Sequence, residues 1–454
     1  MARRLITSIL RFALRIFFRR VEVAGLERVP RRGALMFVLN HPNGLIDPSF
    51  LLCFAPRPVS FLAKSTLFKM PVIGWLVRAM DAIPVYRRQD EGADVSRNRE
   101  TFERAAELLR AGGTIGICPE GVSHNETKLQ PLKTGAARIA LGAASSAGEP
   151  LALKIVPAGL YYTAKTNFRS GALLYFGEPF EVGAAALDAR GEPERASVQQ
   201  LTERIAAALS EATFNAEHRE AVETVARAER IFSAGDEEEG GRAPTLEQEL
   251  RRRRRFVEGY AFHRAREPER IAALEARIRR YEEELRQAGL EDPRDLSPSS
   301  VSKYARARNL LTRVVLFALL APVALAGVLL HYPAYWLAGF LATKFSQSYD
   351  DVLSTFKLIA ATLLFPLTWG ALFALVYYLA GWRWALAAVA FAPFAGYAAL
   401  RFSEELDRTV AGARAALFFV TERQFFKQLL AERRAIRREI LALGDEAARA
   451  GALE

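Results

Sequence analysis

The order of hydrophobic and polar positions divides the chain into regions of different character. Between Glu22 and Ser210, short apolar runs alternate with amphipathic stretches. From Glu211 to about Leu290 the residues are mostly charged and follow a helical period, and beyond Arg308 long apolar segments begin. Short alternating runs are typical of strands and helices in an α/β domain, whereas the later regions indicate helices alone.

The first region predicts an α/β domain, with a mixed sheet flanked by helices, over residues 21–210. Thr101–Arg110 and Thr134–Ala144 are predicted to be helices. The apolar runs predict strands at Ala34–Leu39, Val59–Ala63, Thr114–Cys118, Ala152–Ala158 and Ala172–Phe176.

Residues 1–20 combine an apolar run with arginines throughout, and Arg4, Arg11 and Arg15 share one side of a helix. Because the arginines leave no uninterrupted apolar stretch, we do not expect a signal peptide. We expect an amphipathic helix on the membrane surface, and the alternative is a first helix that covers the domain core. The apolar side of this helix consists of Ile6, Leu10, Ala13 and Phe17.

Two further amphipathic helices are predicted, one in the charged helical region 211–310 and one in the C-terminal region 401–454. The second would suit a membrane surface or a partner helix equally. The first carries an apolar stripe of Ile271, Leu274, Ile278, Tyr281 and Leu285. The second carries Phe418, Phe425, Leu429, Ile436 and Ile440.

Three apolar segments within residues 311–400 each approach the roughly 20 residues that a membrane-spanning helix needs. Basic residues flank the region on both sides, which favours cytoplasmic flanks and an even number of crossings. We therefore expect one segment to be re-entrant, or all three to be shallow and broken at proline; a soluble three-helix core is the alternative. The segments are Val314–Leu330 with Pro322, Leu358–Ala380 with Pro366, and Trp384–Leu400 with Pro393.

The net charge of the chain indicates which kind of partner it binds. With 62 basic and 51 acidic residues the chain carries a formal charge of +11, so an anionic partner is expected. No nucleic acid is expected, because no recognition motif is present and the basic residues are spread among acidic ones. Cys53 and Cys118 lie in apolar segments without ligand spacing, so neither a disulfide framework, a metal nor a cofactor is predicted.

Two short polar signatures follow apolar runs and carry the candidate chemistry. One contains His41 and Asp47, and the other is Cys118-Pro119-Glu120-Gly121. A neutral imidazole can take a proton from an alcohol if a carboxylate holds its other nitrogen. No nucleophile elbow is present, so we expect the alcohol to attack a thioester directly. Asp47 followed by proline also predicts a helix start, with Asp47 as the N-cap.

Together with two further segments, these signatures resemble the four motifs of the glycerolipid acyltransferase superfamily. Members acylate glycerol 3-phosphate, dihydroxyacetone phosphate or lysophosphatidate. The matching residues are Asn40, His41 and Asp47; Ile83-Pro84-Val85-Tyr86-Arg87; Pro119-Glu120-Gly121; and Ile155-Val156-Pro157-Ala158-Gly159. The resemblance implies catalytic roles for His41 and Asp47.

The chain departs from the common pattern at one point, because five residues separate His41 from Asp47 where four are usual. A tight turn at Asn43-Gly44 could absorb the extra residue. Several segments resemble the fungal-type glycerol-3-phosphate and dihydroxyacetone-phosphate acyltransferase branch. They are Glu120–His124, Leu129–Gly135, Asn167–Ser170 and Val257–Tyr260.

The substrate-binding roles that the resemblance implies fall on five residues. Arg87 is expected to hold the acceptor phosphate, since a guanidinium matches phosphate oxygens. Glu120 is expected to bind a glycerol hydroxyl or brace Arg87, with a turn-capping carboxylate as the alternative. Gly121 is expected to allow close approach of the substrate. Lys133 and Arg169 are further candidates, with ordinary surface cations as the alternative.

These expectations describe a membrane enzyme with a cytoplasmic-facing catalytic domain, in the inner membrane if the source is bacterial. It would transfer an acyl group from acyl-CoA or acyl-carrier protein to glycerol 3-phosphate or dihydroxyacetone phosphate. The partners would be a phosphorylated glycerol acceptor, an acyl thioester donor and the lipid bilayer. The alternatives are a lysophosphatidate acyltransferase and a non-catalytic membrane scaffold.

Overall fold

The computed structural model groups the chain into two compact units. The first contains Met1–Asn215, Thr245–Leu250 and Ala342–Leu358, and the second contains the remaining residues. The first unit therefore includes the N-terminal helix and two later segments in addition to the predicted domain. The structure describes residues 2–87, 89–90, 94–145, 151–188, 191–215, 219–238, 244–290, 292–296, 303–346 and 350–453.

Eight strands of the first unit form one mixed sheet, as the hydrophobic pattern predicted. Their order is β1-β7-β6-β2-β5-β3-β4, with β8 paired to β6. The apolar runs located five strands correctly, but β1, the short β4 and β8 have weaker patterns and were not predicted. The strands are β1 (Arg20–Ala24), β2 (Leu35–Leu39), β3 (Ser60–Lys64), β4 (Ile83–Val85), β5 (Thr114–Ile117), β6 (Lys154–Tyr162), β7 (Gly171–Phe176) and β8 (Phe180–Glu181).

The register of the central strands fixes where their ends lie. Strand β2 pairs in parallel with β5 and with β6, while β3 pairs in parallel with β5 and β4. Strand β6 pairs antiparallel with β7. Parallel neighbours end at the same edge of a sheet, so the segments after β2, β4, β5 and β6 all emerge at its carboxyl edge.

Helices cover the sheet and supply its core. Those of the first unit are α1 (Ala2–Phe17), α2 (Ile46–Phe54), α3 (Pro71–Ala79), α4 (Asn98–Arg110), α5 (Gly135–Ser145) and α6 (Arg195–Ala212). The later helices are α7 (Arg219–Glu238), α8 (Leu246–Arg266), α9 (Pro268–Gln287), α10 (Lys303–Ser346), α11 (Asp350–Ala380), α12 (Trp382–Thr421) and α13 (Arg423–Arg449). Short 3-10 turns occur at Leu26–Arg28, Ser65–Lys69, Val95–Arg97 and Pro293–Asp295.

Helix α1 covers the domain core, so the expected membrane-facing side was assigned wrongly. The side chains of Ile6, Leu14 and Phe17 are buried, and Arg11 donates to the carbonyl of Cys53. The apolar side that the sequence pattern identified is therefore the side that packs on the sheet domain. A different row remains exposed, and it consists of Leu5, Ile9 and Phe12.

In the second unit, α9 and α13 bury their apolar stripes in one hydrophobic cluster. A membrane surface and a partner helix suited α13 equally, and the structure shows that it packs against a helix of the same chain. Ile436 is fully buried in this cluster, as is Tyr281 from α9. Arg277 of α9 adds hydrogen bonds to Glu432 and Glu439 of α13. The amphipathic pattern of both helices is thus explained by packing against each other.

Among the described residues, three helical segments have the length and the apolar composition to cross a membrane. They span Phe317–Phe345, Leu353–Ala380 and Trp382–Asp407. The expectation that proline breaks these segments was wrong, because α10, α11 and α12 continue through Pro322, Pro366 and Pro393. The first segment also extends well beyond its predicted end at Leu330, because the helix continues through Pro333 as well.

Candidate active site

Three loops at the carboxyl edge of the sheet carry polar residues that the sequence singled out. His41 follows β2, Arg87 follows β4, and Glu120 follows β5. The last residue of β6, Tyr162, reaches the same edge. Because these strands run parallel, residues that are far apart along the chain converge at one place.

The centre of the site is a hydrogen-bonded pair. His41 Nδ1 donates to Asp47 Oδ2 over 2.9 Å, and the Asp47 side chain is fully buried. The backbone N–H of Asn43 donates to the same oxygen over 2.6 Å. Tyr162 donates its phenolic hydrogen to the other oxygen, Oδ1, over 2.6 Å. Asp47 therefore orients the imidazole and places a negative charge beside it, as a histidine base requires. Nε2 of His41 takes no part in this hydrogen bond.

The extra residue between His41 and Asp47 does not separate them. Gly44 has a φ of +35°, which places the turn in a conformation that favours glycine. Helix α2 then begins at Ile46, with Leu45 in the N-cap position and no side-chain cap. The prediction of Asp47 as the N-cap was thus wrong, because its carboxylate is used within the turn that precedes the helix.

The electrostatic setting of His41 favours its charged form. Burial lowers the pKa of His41, but the contact with the Cys118 side chain and the hydrogen bond to Asp47 outweigh it and raise the pKa well above its ordinary value. Burial in turn raises the pKa of the Cys118 thiol. Cys118 is therefore a protonated, uncharged thiol at neutral pH, so of these two neighbours only Asp47 carries a negative charge that raises the pKa of His41.

Glu120 is held within its own turn and against the His41 loop. Its side chain is buried and accepts the backbone N–H of His41 over 2.8 Å and that of Gln130 over 2.8 Å. His124 Nε2 also hydrogen-bonds to it. These contacts match the alternative of a turn-capping carboxylate, because they tie the Pro-Glu-Gly turn to the His41 backbone.

Arg87 lies at the same turn, held by a bidentate pair. Its Nε and Nη2 donate to the two oxygens of Asp90 over 3.1 and 2.7 Å, and its Nη1 donates to the carbonyl of Gly121 over 2.8 Å. The hydrogen bond from Arg87 lowers the pKa of Asp90. Lys64 Nζ lies 3.8 Å from the same carboxylate. A guanidinium has five N–H groups, so the three contacts leave two for an anion.

The remaining predicted residues divide into two groups. Gly121 has a φ of +77°, and a side chain there would approach only Lys133 Cγ within 4 Å. Lys133 donates its backbone N–H to Pro119 over 2.7 Å, so it lies against the same turn. Arg169, by contrast, lies at the end of α1, where its backbone N–H donates to the carbonyl of Phe17 over 2.7 Å. Its side chain also donates to the carbonyl of Ile16 over 3.4 Å, and its role in substrate binding stays a prediction.

Three residues of this edge were not predicted from the sequence. Tyr162 had a usable signal, because it ends the strand that carries the fourth motif. Asp90 also had a local signal, because it lies three residues after Arg87. Lys165 had none, since its partners come from distant segments. Lys165 Nζ donates to the carbonyls of Pro42 over 2.6 Å and of His124 over 3.3 Å. It therefore braces the His41 loop from a separate part of the chain.

One group of described residues in the second unit could bring three metal-ligating atoms together, namely His263, Glu267 and Glu446. Arg270 donates to both carboxylates, over 2.9 Å to Glu267 and 2.8 Å to Glu446. His263 Nε2 lies 2.9 Å from the carbonyl of Leu443. These contacts account for the cluster as a link between α8, α9 and α13.

Comparison with known proteins finds two family models that match this sequence. Residues 20–161 match the acyltransferase family, and residues 237–448 match the glycerol-3-phosphate acyltransferase 2 C-terminal domain. The crystal structure of the 1-acyl-sn-glycerophosphate acyltransferase PlsC from Thermotoga maritima is 21% identical, with a TM-score of 0.32, over 45% of this chain and 78% of that one.

Two yeast proteins are similar over longer stretches. Glycerol-3-phosphate O-acyltransferase 2 of Saccharomyces cerevisiae is 29% identical over 282 residues, which cover 60% of this chain and 37% of the relative. Glycerol-3-phosphate O-acyltransferase 1 of the same organism is 27% identical over 468 residues, covering 81% and 60%. The chain thus spans less than two thirds of the length of either relative. The sequence thus matches an acyltransferase domain followed by the C-terminal domain of glycerol-3-phosphate acyltransferase 2, which fits the expected fungal-type branch.

Proposed function

We propose that the protein transfers a fatty acyl group from an acyl thioester, either acyl-CoA or acyl-carrier protein, to a hydroxyl of glycerol 3-phosphate. Dihydroxyacetone phosphate is a second acceptor of the same chemistry. The observation that carries the proposal is the 2.9 Å hydrogen bond between His41 and Asp47, set beside Arg87 at the Pro-Glu-Gly turn. The two similar yeast proteins carry the name of this activity.

The reaction follows from the position of the imidazole. Asp47 keeps the proton on Nδ1, so Nε2 of His41 accepts the proton of the acceptor hydroxyl as its oxygen attacks the thioester carbonyl. When the tetrahedral intermediate collapses, the carbon–sulfur bond breaks and the leaving thiolate takes that proton. The product ester and the free thiol balance the reaction without an acyl-enzyme. The protonated thiol of Cys118 is a poor nucleophile and fits this direct attack.

The acceptor phosphate would lie at the basic edge formed by Arg87, Lys64 and Lys133. Arg87 keeps two N–H groups for phosphate oxygens, and Lys133 lies against Gly121 beside it. A lysophosphatidate acceptor presents the same phosphate and is the second candidate within this chemistry. A non-catalytic scaffold would not need the His41–Asp47 pair.

The test uses the purified full chain in detergent with radiolabelled glycerol 3-phosphate and palmitoyl-CoA. We expect turnover in the wild type and a fall of about a hundredfold or more in His41→Ala, because general-base catalysis typically contributes that much. Arg99→Ala serves as a control, since this arginine is 71% exposed on α4. Equal turnover in wild type and His41→Ala, or none in either, would reject the proposal. Preference for lysophosphatidate in direct competition would replace the acceptor.

We also propose an orientation in the membrane, in which the first unit, which carries the active site and which we call the catalytic unit, faces the cytoplasm. The basic residues on both sides of the apolar region favour this orientation. The exposed row of Leu5, Ile9 and Phe12 on α1 would then contact the cytoplasmic leaflet.

A further inference from the structure

The start of α11 is bound to the loop that carries His41. The backbone N–H of Leu45 donates to Oγ1 of Thr355 over 3.1 Å, across a sequence separation of 310 residues. The exposed fraction of Thr355 is 6%, and that of Ser354 is 0%. Because the Thr355 side chain is buried, the residues packed around it fix the position of its hydroxyl. The hydrogen bond to Leu45 is therefore part of the packed interior of the first unit.

The neighbouring hydroxyl holds the same loop from its other side. Ser354 Oγ donates to the carbonyl of Lys165 over 2.6 Å. Lys165 Nζ in turn donates to the carbonyl of Pro42, directly after His41. Two adjacent residues of α11 therefore fix both flanks of the loop, one directly and one through Lys165.

Two further contacts anchor this turn of the helix. Lys357 Nζ donates to the carbonyl of Thr166 over 2.9 Å. Leu358 is 8% exposed and packs in the same hydrophobic cluster as Ile46 and Phe50 of α2. The residues 354–358, which we call the docking segment, thus combine polar and apolar contacts with one face of the acyltransferase domain.

The Leu45 amide has a particular need for an acceptor. It lies at the N-cap of α2, where a backbone N–H has no partner within the helix. The first turn of that helix carries Asp47, which orients His41. Any shift of Leu45 therefore changes the position of Asp47 relative to the imidazole.

We propose that Thr355 is a positioning residue for acyl transfer, whose hydroxyl holds the Leu45 amide and so keeps Asp47 aligned with His41. This inference rests on the proposed function. It also assigns a role to a residue of the matched C-terminal region, 237–448, in a site built by the matched N-terminal region, 20–161. The docking segment would then be a working part of the active site in the first unit.

The test compares three variants of the full chain. Thr355→Val keeps the shape but removes the acceptor, Thr355→Ser restores it, and Thr368→Val is a control within the same helix. The Thr368 hydroxyl donates to Leu364 of its own helix over 2.9 Å. We expect Thr355→Val to lower kcat by about fivefold, as the loss of one hydrogen bond implies, with the acceptor KM unchanged. Thr355→Ser and Thr368→Val should retain the wild-type kcat.

Hydrogen–deuterium exchange of the peptide around Leu45 provides a measurement that does not depend on activity. We expect faster exchange in Thr355→Val than in wild type, Thr355→Ser or Thr368→Val. If wild type turns over substrate but Thr355→Val has unchanged kcat or unchanged exchange, the positioning role is wrong. If wild type shows no acyl transfer, the proposed function fails. In that case the exchange data alone decide whether Thr355 holds the loop.

Discussion

At the scale of single residues, His41 is the group on which the chemistry depends, and its protonation state follows from its neighbours. Asp47 accepts from Nδ1, while Tyr162 and the Asn43 amide satisfy the same carboxylate. Because this carboxylate is fully buried and hydrogen-bonded, it stays in place and its interaction with the imidazole is little screened by water. The raised pKa of His41 has a direct consequence for the pH dependence.

We expect the acid limb of kcat/KM to lie above the ordinary pKa of a histidine, because the neutral imidazole is the base and its pKa is raised. Asp47→Asn removes the charge that raises this pKa, so the limb should move to lower pH while the maximal rate falls. The measurement is kcat/KM against pH for both proteins. The titration of the acceptor phosphate is common to both and cancels in their ratio. A limb that does not move would show that Asp47 does not set the pKa of His41.

Substitution of Arg87 should affect the Michaelis constants of the acceptor and of the acyl donor differently. We expect Arg87→Ala to raise the KM of glycerol 3-phosphate by about tenfold to a hundredfold, since hydrogen bonds to charged groups contribute that much. The KM of the acyl donor should change far less. Initial rates with each substrate varied in turn measure both constants, and Arg99→Ala again provides the matched arginine control. A larger effect on the donor would reject a phosphate contact for Arg87.

At the scale of elements, the apolar stripes of α9 and α13 pack together within the second unit. Ile436 is fully buried between these helices, while Leu441 on the same helix is 41% exposed. We expect Ile436→Ala to destabilise the folded state by about 2–5 kcal/mol, through lost burial and a residual cavity. Leu441→Ala should have little effect. Thermal unfolding of the full chain in detergent measures both. Equal stability losses would indicate that α13 packs differently from the described arrangement.

The apolar row on α1 belongs to the same scale. A helix can present two apolar faces, and here one covers the core while Leu5, Ile9 and Phe12 remain exposed. The arginines of the helix are occupied in part by the domain itself, since Arg3 pairs with Asp81 over 2.9 Å and Arg11 binds the carbonyl of Cys53. The helix is thus an integral layer of the first unit with an additional apolar surface.

At the scale of the whole molecule, the described residues contain three helices suited to a membrane, and the chain as a whole is basic. A net charge of +11 favours contact with anionic lipid headgroups and with phosphorylated substrates. Both properties agree with a reaction that joins a water-soluble phosphate acceptor to a fatty acyl chain at the surface of a bilayer.

The proposed orientation leads to a prediction for sealed membrane vesicles. In vesicles with the cytoplasmic face outward, an added protease should digest the catalytic unit and abolish acyl transfer. In vesicles of the opposite orientation the unit should be protected until detergent is added. Immunoblotting with an antibody against residues 21–210 follows the digestion. Protection in the first preparation would show that the catalytic unit lies on the other side.

The sequence by itself determined the α/β class, five of the eight strands, the motif residues and the apolar segments. These are local properties, because side-chain periodicity and short motifs are encoded within a few neighbouring residues. The tertiary structure decided what depends on distant partners. It decided that α1 buries Ile6 rather than offering that face to lipid, that Glu120 accepts the backbone N–H of His41, and that Arg87 donates to the carbonyl of Gly121. Tyr162, Lys165 and Thr355 reach the His41 loop only because strand order and helix packing bring remote segments together, and no local pattern records such contacts.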